Sequence, residues 1–293
     1  MKLIEQNSID LPLEKFHLKI PFETIGIDIG QTLTKIAYIK ENKLNLILIP
    51  TQSDDRTLND WLKSKKGSFK KYNFTGGRAF NIYKDFSRKF ESNLLKEFEI
   101  NGKGIEILFL LYKKGSFPSS LIVSIGTGTS ITLKKENLVK HLGGSALGGG
   151  LFMGLVKFLY NITDYYEAIN LSKSGNRYNV DLKVSDIYAP EDNRVDQIFR
   201  EFTAASLAKL EKNLASKEDV INSIICLIAE NLGIIANLMA ENNNINNLVF
   251  SGGFLKGNKI LKDILLAICQ FNKKKAIFLK NSEFCGAIGA LFS

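Results

Sequence analysis

The sequence has few of the residues from which many binding and catalytic sites are built. Its 293 residues include three cysteines, two histidines, five prolines and one tryptophan. Cys226, Cys269 and Cys285 lack the spacing of metal ligands, and so small and odd a set argues against a disulfide framework or a zinc site. His17 and His141 are too few for a histidine metal cluster. A reducing compartment fits this composition, and we predict a cytoplasmic protein.

Long apolar runs are also missing. The longest apolar stretch, 220–240, is interrupted by polar residues at 222, 230, 231 and 237. The first 22 residues alternate charges with Leu and Ile and contain no signal-peptide core. We therefore predict no membrane association and assign residues 1–22 to an N-terminal extension of unknown role.

The positive charge is dispersed along the chain. Lys and Arg number 39 against 30 Asp and Glu, which gives a formal net charge of +9. Nucleic-acid binding would require these residues to be clustered and interleaved with aromatics, and only 63–72 and 273–275 contain short basic runs. We predict no nucleic-acid partner. Two interpretations of the charge stay open, a soluble surface and an anionic small substrate.

Hydrophobic patterning predicts an α/β protein in which one architecture occurs twice. Three closely spaced strands and then a helix follow residue 23, and the same order restarts after a basic linker at 113–120. We divide the chain into the extension 1–22, a first lobe 23–117 and a second lobe 118–293. The predicted strands are 24–30, 33–40, 43–50, 72–77, 121–126, 130–135, 138–144, 246–254 and 276–280. The predicted helices are 58–65, 97–112, 217–241 and 285–292.

Several of these strands end in glycine. The glycine exits are Gly30, Gly76-Gly77, Gly126 with Gly128, Gly252-Gly253 and the run 143–150. Without a Cβ, the backbone can turn sharply and direct N–H groups at phosphate oxygens, and a following helix N-terminus adds positive potential. A single exit is equally well explained as a tight turn, but repeated exits predict a nucleotide cleft between two similar halves. No GxxxxGK[ST] occurs and no GxGxxG follows the first strand, which argues against a P-loop and a Rossmann fingerprint.

The order of these motifs resembles that of the acetate and sugar kinase, Hsp70 and actin superfamily (ASKHA). "GIDIGQT", "SIGTGTS" and the late "SGG" match its phosphate-1, phosphate-2 and adenosine motifs. Within it, the chain resembles type II pantothenate kinases from residue 24 to residue 292. The matching segments are "GIDIGQTLTK" (26–35), "FTGG" (74–77), "EFE" (97–99), "IGTGTSI" (125–131), "GGSALGGGLFMGL" (143–155), "ITDY" (162–165), "DLKVSDIY" (181–188) and "GAIGAL" (286–291).

This resemblance implies two RNase H-like lobes of the actin-like ATPase fold with an interlobe nucleotide cleft. It implies ATP and Mg²⁺ as cofactors and phosphorylation of pantothenate to 4′-phosphopantothenate, the first step of coenzyme A synthesis. The nucleotide-binding residues implied are Asp28, Ile29, Gly30, Gln31, Thr32, Leu33, Thr34, Lys35, Thr127, Gly149, Gly150, Leu151, Phe152, Met153, Tyr165 and Gly253.

Two acidic residues are the main candidates for chemistry. A carboxylate beside a triphosphate requires a cation, so Asp28 is the predicted Mg²⁺ ligand, unless it caps a turn or helix. Phosphoryl transfer to an alcohol needs a base for the hydroxyl proton. Glu97 matches the family's catalytic Glu, with Glu99 in the place of its Asp. From spacing alone, the favoured interpretation of Glu97 is a first-turn acid that offsets the helix dipole.

The predicted substrate-binding residues are Glu97, Thr127, Ser130 and His141. His141 stands where the family usually carries an Arg before the "GG" of 143–144. A neutral imidazole donates one hydrogen bond where a guanidinium offers a charged fork. Lower activity, or compensation by the neighbouring Lys140, is the expected consequence.

Other functions and partners stay open at this level. A sugar kinase of the N-acetylhexosamine type and a non-catalytic nucleotide or coenzyme A-binding regulator are the alternatives. The family is dimeric, so a homodimer is predicted, with acyl-CoA as a further regulator. The helix at 217–241 has an apolar stripe that suits either a buried core or a dimer interface.

Overall fold

The computed structural model describes residues 5–11, 20–51, 56–65, 67–113, 115–210 and 215–293. The strands are β1 (Glu5–Asp10), β2 (Thr24–Ile29), β3 (Leu33–Lys40), β4 (Lys43–Pro50), β5 (Lys71–Thr75), β6 (Glu91–Leu94), β7 (Ser120–Ile125), β8 (Thr129–Lys135), β9 (Leu138–Ser145), β10 (Leu182–Lys183), β11 (Thr203–Ala205), β12 (Asn247–Ser251) and β13 (Lys275–Phe278). The helices are α1 (Arg56–Ser64), α2 (Ala79–Phe86), α3 (Glu97–Tyr112), α4 (Gly149–Tyr160), α5 (Tyr165–Ser172), α6 (Lys217–Asn242), α7 (Lys259–Phe271) and α8 (Cys285–Leu291).

Two mixed sheets share one strand order. In the first sheet the order is β1-β4-β3-β2-β5-β6, where β2, β3 and β4 are antiparallel and β5 and β6 run parallel to β2. In the second sheet the order is β9-β8-β7-β12-β13, with the same directions. Apart from the added edge strand β1, each sheet is therefore one copy of the predicted duplicated unit.

Helices cover the sheets on both faces, which explains why the central strands are apolar on both sides. Every residue of β2 is buried, as expected for a strand between two helical layers. Helix α8 belongs to the second half of the chain but lies on β2 and β3 of the first sheet. Helix α3 belongs to the first half and contacts β8 and β9 of the second sheet. Each half therefore contributes a helix to the neighbouring sheet.

The two exchanged helices cross at very close range. A Cβ on Gly104 would lie 1.8 Å from the Cys285 carbonyl oxygen, so only glycine permits the crossing. The carbonyl of Ala290 in α8 accepts a buried hydrogen bond of 2.7 Å from the Asn73 amide of β5. This close packing makes α3 and α8 the central layer between the two sheets.

Residues 1–22 were assigned to an N-terminal extension of unknown role, and Glu5–Asp10 is the part of it with regular structure among the described residues. That segment forms β1, which pairs antiparallel with β4 along its whole length. Its side chains alternate between half-buried and exposed, as expected at a sheet edge. The remainder of the predicted extension lies mostly outside the described residues. The division of the chain into lobes at 117 stays a prediction.

Helix α6 is a core helix. Its 26 residues are long and apolar enough to cross a membrane by length and composition, and most of the helix is buried inside the protein. Buried Asn237 uses its side chain to bond the Gly233 carbonyl at 2.8 Å. The buried stripe therefore serves the core, and Ile234 and Leu238 are left 52% and 57% exposed on the opposite side.

Candidate active site

Two hairpin turns meet at the centre of the cleft. The β2–β3 turn carries Gly30, Gln31 and Thr32, and the β7–β8 turn carries Thr127 between two glycines. The hydroxyl oxygens of Thr32 and Thr127 lie 3.0 Å apart, and both residues are exposed. The turns predicted as phosphate-1 and phosphate-2 loops thus face each other across the halves of the molecule.

Asp28 and Lys35 form a charged pair beside these turns. They are direct partners in the β2–β3 ladder, so their side chains lie on the same face of the sheet. The Lys35 Nζ donates to Asp28 Oδ2 at 3.2 Å, and Asp28 is 9% exposed. A buried carboxylate with one compensating cation retains acceptor capacity for a metal ion.

Glu97 opens α3 three residues after β6 ends and faces the same pair. Loss of hydration in the cleft raises the pKa of Glu97, although its side chain is solvent-accessible. The negative charge of Asp28 raises this pKa further, while the positive charge of Lys35 lowers it. The three side chains are therefore one electrostatic unit, and Glu97 is a better proton acceptor than an ordinary surface glutamate.

At the two "GG" exits, 76–77 and 252–253, the first glycine lies against the backbone of a neighbouring strand. Gly76 and Gly252 adopt φ angles of +94° and +104°, which favour glycine. A Cβ on Gly76 would lie 2.6 Å from the Ile29 carbonyl oxygen, and one on Gly252 would lie 2.4 Å from the Ile125 carbonyl oxygen. In each half, this glycine lets the neighbouring parallel strand end directly against the phosphate turn.

The glycines at the start of α4 brace the second turn. The N–H groups of Gly149 and Gly150 donate to the carbonyls of Gly126 and Thr127, each at 2.8 Å. We expected these N–H groups to be free to bind a ligand. In the structure they are instead used to hold the β7–β8 turn in place. The residues that lie closest to the cleft are consequently the turn residues themselves.

Besides Asp28, three residues of the predicted nucleotide set have buried side chains. Ile29 and Phe152 are fully buried, so only their backbone groups can reach a ligand. The Ile29 carbonyl already accepts from the Arg78 N–H at 3.0 Å. Leu151 and Met153 are half-buried against the second-lobe core. The Thr34 side chain is also buried and lies 2.9 Å from the Thr51 hydroxyl.

Tyr165 fixes the adenosine loop. Its hydroxyl lies 3.0 Å from the Phe254 carbonyl and 2.9 Å from the Lys256 carbonyl, and it donates to them. Burial raises the pKa of Tyr165, so the hydroxyl stays a donor. Gly253, in the same loop, is close to the first lobe, since a Cβ there would lie 3.7 Å from the Leu33 side chain. The loop therefore contacts both halves of the cleft.

The predicted substrate side is formed by β8 and β9. Ser130 is half-buried opposite Ser124, and the imidazole of His141 stacks on the ring of Phe98. The ring centroids are 3.9 Å apart and the planes differ by 8°. Phe98 was missed from the sequence. Its position directly after Glu97 could have marked Phe98 as a candidate site residue. The sequence spacing does not indicate that Phe98 contacts His141.

Comparison with known proteins supplies the family. The family model named Fumble matches residues 108–293. A type II pantothenate kinase from Bacillus cereus (strain AH820) is 34% identical over 269 residues, which cover 92% of this chain and 96% of that relative. The chain belongs to the type II pantothenate kinase family. A second member, from Oceanobacillus iheyensis, is 32% identical over 272 residues, with 92% and 98% covered.

Solved structures confirm the two-lobed fold predicted for this family. The activator of 2-hydroxyisocaproyl-CoA dehydratase from Clostridium difficile, with bound ADPNP, is similar at a TM-score of 0.61 and 17% identity over 92% of each chain. A ROK family glucokinase from Streptomyces griseus, in complex with glucose and AMPPNP, is similar at 0.57 and 10% identity, over 91% of this chain and 97% of that one. The fold is thus the actin-like one with two RNase H-like lobes.

The prediction of Asp28 as a Mg²⁺ ligand can be compared with the side chains around it. Within the described ranges, no group of three or more His, Cys, Asp and Glu side chains could hold an ion. Mg²⁺ in kinases is often bound by one or two carboxylates together with water and phosphate oxygens. The oxygen donors of Asp28, beside the two hydroxyl-bearing turns, fit that pattern.

Proposed function

We propose that the chain transfers the terminal phosphoryl group of ATP to the primary hydroxyl of pantothenate and releases 4′-phosphopantothenate. This is the first step of coenzyme A synthesis, and it is the activity that the names of its relatives carry. The observation that supports the site is the grouping of Glu97, Asp28 and Lys35 beside the facing turns of the cleft.

In the mechanism we propose, Glu97 accepts the proton of the substrate hydroxyl. General base catalysis is most effective when the pKa of the base approaches the working pH. Loss of hydration in the cleft and the negative charge of Asp28 both raise the pKa of Glu97, which moves it in that direction. Positioning of the hydroxyl and electrostatic stabilisation of the phosphoryl group supply the remaining acceleration.

The facing turns are the proposed phosphate site. The hydroxyls of Thr32 and Thr127 and the ammonium group of Lys35 donate hydrogen bonds to phosphate oxygens. Asp28 would hold Mg²⁺, which neutralises phosphate charge when it is bound. The Gly253 loop, held by Tyr165, lies where the adenosine is expected. Ser130 and His141 lie on the proposed pantothenate side.

A spectrophotometric assay with ATP and pantothenate tests this function. Wild type should turn over pantothenate, and Glu97→Gln should lose about 10²-fold or more in kcat, because general bases contribute 10²–10⁴-fold. Glu99→Gln is the matched control, since the Glu99 side chain is exposed and forms its ion pair with the likewise exposed side chain of Lys96 at 3.1 Å. Turnover of N-acetylhexosamines alone would instead support the sugar kinase. Tight ligand binding without turnover would support a regulator.

Assembly and regulation are further proposals. The exposed Ile234 and Leu238 on α6 offer an apolar surface for a homodimer. Leu238→Glu should then convert a dimer to a monomer in light scattering, and an unchanged mass would contradict the proposed surface. Inhibition by acyl-CoA, a cytoplasmic location and the absence of membrane and nucleic-acid partners stay predictions.

A further inference from the structure

The helix that carries Glu97 begins without a side-chain cap. Lys96 occupies the N-cap position of α3, and its side chain bonds none of the free N–H groups there. The first turn contains one ion pair, Lys96 with Glu99, whose side chains are 82% and 56% exposed. Exposed pairs of this kind contribute little to stability. The chain is anchored on either side of this turn, since the Leu95 N–H donates to the Phe74 carbonyl at 2.8 Å and Ile100 is buried. The orientation of the side chains within the turn depends on their own contacts.

One face of α3 rests on the edge strands of the second sheet. Residues at 98, 102 and 106 are four apart, so they lie on one side of the helix. The Phe98 ring stacks on His141. Gly102 brings the helix against Val139, whose methyl groups would lie 3.4 Å from a Cβ at that position. Glu106 forms an ion pair with the Lys134 Nζ at 3.1 Å.

A β-bulge sets the position of His141. In the β8–β9 ladder Thr132 pairs with His141, whereas the preceding Ile131 pairs with Gly143, so Leu142 is an extra residue. Bulges redirect side chains beside functional sites. His141 shares a face with Val139, two residues away, and Lys140 points to the opposite face. Lys140 is therefore poorly placed to compensate for the imidazole.

We propose that His141 and Phe98 form a positioning pair that fixes the first turn of α3 and thereby holds the Glu97 carboxylate at the substrate hydroxyl. This inference rests on the function proposed above. Phe98 follows Glu97 directly, so any rotation of the first turn moves both side chains together. A displacement of about 1 Å at a catalytic group can cost 10²-fold in rate. In this proposal His141 acts through the face of its ring, which stacks on Phe98, and its nitrogen atoms do not bind the substrate.

Aromatic replacement separates this role from direct substrate binding. His141→Ala should lower kcat by about tenfold or more, with the KM for ATP within about twofold of wild type. His141→Phe keeps the stack and should restore kcat to within about threefold of wild type, because offset aromatic pairs are stable without polar atoms. If the imidazole nitrogens bind substrate, His141→Phe will stay as impaired as His141→Ala and raise the KM for pantothenate, which would overturn the proposal.

The matched control lies on the same strand. Leu138 is 53% exposed and faces away from α3, so Leu138→Ala should leave kcat unchanged and report any general weakening of β9. Phe98→Ala should reproduce the loss seen in His141→Ala, and the double variant should be no worse than either single one. Full additivity of the two losses would contradict a shared interaction.

Hydrogen exchange supplies a readout independent of turnover. In the full chain, the peptide covering 97–104 should exchange faster in His141→Ala than in wild type or His141→Phe. Unchanged exchange would overturn the proposal even if activity fell. Wild type that does not phosphorylate pantothenate would defeat the proposed function, and the exchange experiment would still decide whether the stack holds α3.

Discussion

The two halves of the molecule share a strand order but differ in chemistry at matching positions. In the first half, Asp28 faces Lys35 across the β2–β3 ladder. In the second half, the same ladder positions hold Ser124 and Ser130. The Ser124 hydroxyl lies 2.9 Å from that of Ser251 on the neighbouring parallel strand. The duplicated unit therefore supplies two similar backbone turns, and the charged groups are concentrated in one of them.

The halves differ also in the segment between the third and fourth strands of the duplicated unit, which are β4 and β5 in the first half and β9 and β12 in the second. In the first half a short segment with α1 joins β4 to β5. In the second half the same connection, from β9 to β12, contains α4, α5, the β10–β11 pair and α6. This insertion carries its own buried ion network.

The largest expected effect is the loss of that network. Arg177 donates to Asp181 at 2.7 Å and to both oxygens of Glu230, at 2.6 and 3.1 Å. Asp181 is fully buried, so Arg177→Met leaves an uncompensated charge and should lower the free energy of unfolding by about 3–5 kcal/mol. Urea denaturation measures this loss. Arg194→Met removes a side chain that is 81% exposed in its pair with Asp192, and should change stability by less than about 1 kcal/mol.

Exchanging the matching residues tests whether charge is confined to the first half. Asp28→Ser installs the second-half residue and should lower kcat/KM by about 10²-fold or more, because removing one preorganised electrostatic group has that cost. Ser124→Ala removes only a hydroxyl and should cost less than about tenfold. Steady-state kinetics at saturating Mg²⁺ checks both. Equal losses of kcat/KM in the two variants would contradict the prediction that the charged groups act in the first half alone.

The glycine exits should be equivalent in the two halves. Gly76→Ala and Gly252→Ala both place a Cβ within 2.6 Å of a backbone carbonyl, at a positive φ. Each should lower the free energy of unfolding by about 1–3 kcal/mol. Gly77→Ala is the control, since a Cβ there meets nothing within 4 Å. If thermal unfolding gives very different losses of stability for Gly76→Ala and Gly252→Ala, the two glycines are not equivalent and the prediction is contradicted.

The smallest effect concerns the pH dependence of catalysis. Glu97 must be deprotonated to act as a base, so activity falls at pH values below its pKa. Lys35 lowers the pKa of Glu97, and Lys35→Met should therefore move the acid limb of kcat/KM to higher pH. Asp28→Ser removes a charge that raises this pKa and should move the limb to lower pH. If the acid limb moves in the same direction in both variants, Asp28 and Lys35 do not have opposite effects on the pKa of Glu97, and the proposed electrostatic coupling is contradicted.

The elements that the sequence predicted well are the strongly apolar ones. The bounds of β3, β4 and α3 agree with the prediction, because each is an apolar segment that ends at turn or linker residues. Strands β1, β6, β10 and β11 and helix α2 were missed. Glu5–Asp10 and Glu91–Leu94 are mostly polar edge strands, stabilised by pairing that no local pattern reveals.

The candidate site was predictable in its composition but less so in its contacts. Resemblance to the family pointed to Asp28, Lys35 and Glu97, and the structure brings them together. The stacking of Phe98 on His141 depends on a one-residue bulge, and a bulge changes which residues share a face without leaving a sequence signal. The internal use of the Gly149 and Gly150 amides is likewise a tertiary property.

The placement of α8 has a consequence for biosynthesis. This helix covers β2, where a Cβ on Gly26 would lie 2.0 Å from the Ala287 carbonyl oxygen. The ribosome makes β2 long before it makes residues 285–291, so the nascent first sheet stays uncovered on one face during translation. Folding of the amino-terminal half is therefore completed after translation of α8, and a nascent chain stalled before Cys285 should bind chaperones that recognise exposed apolar strands.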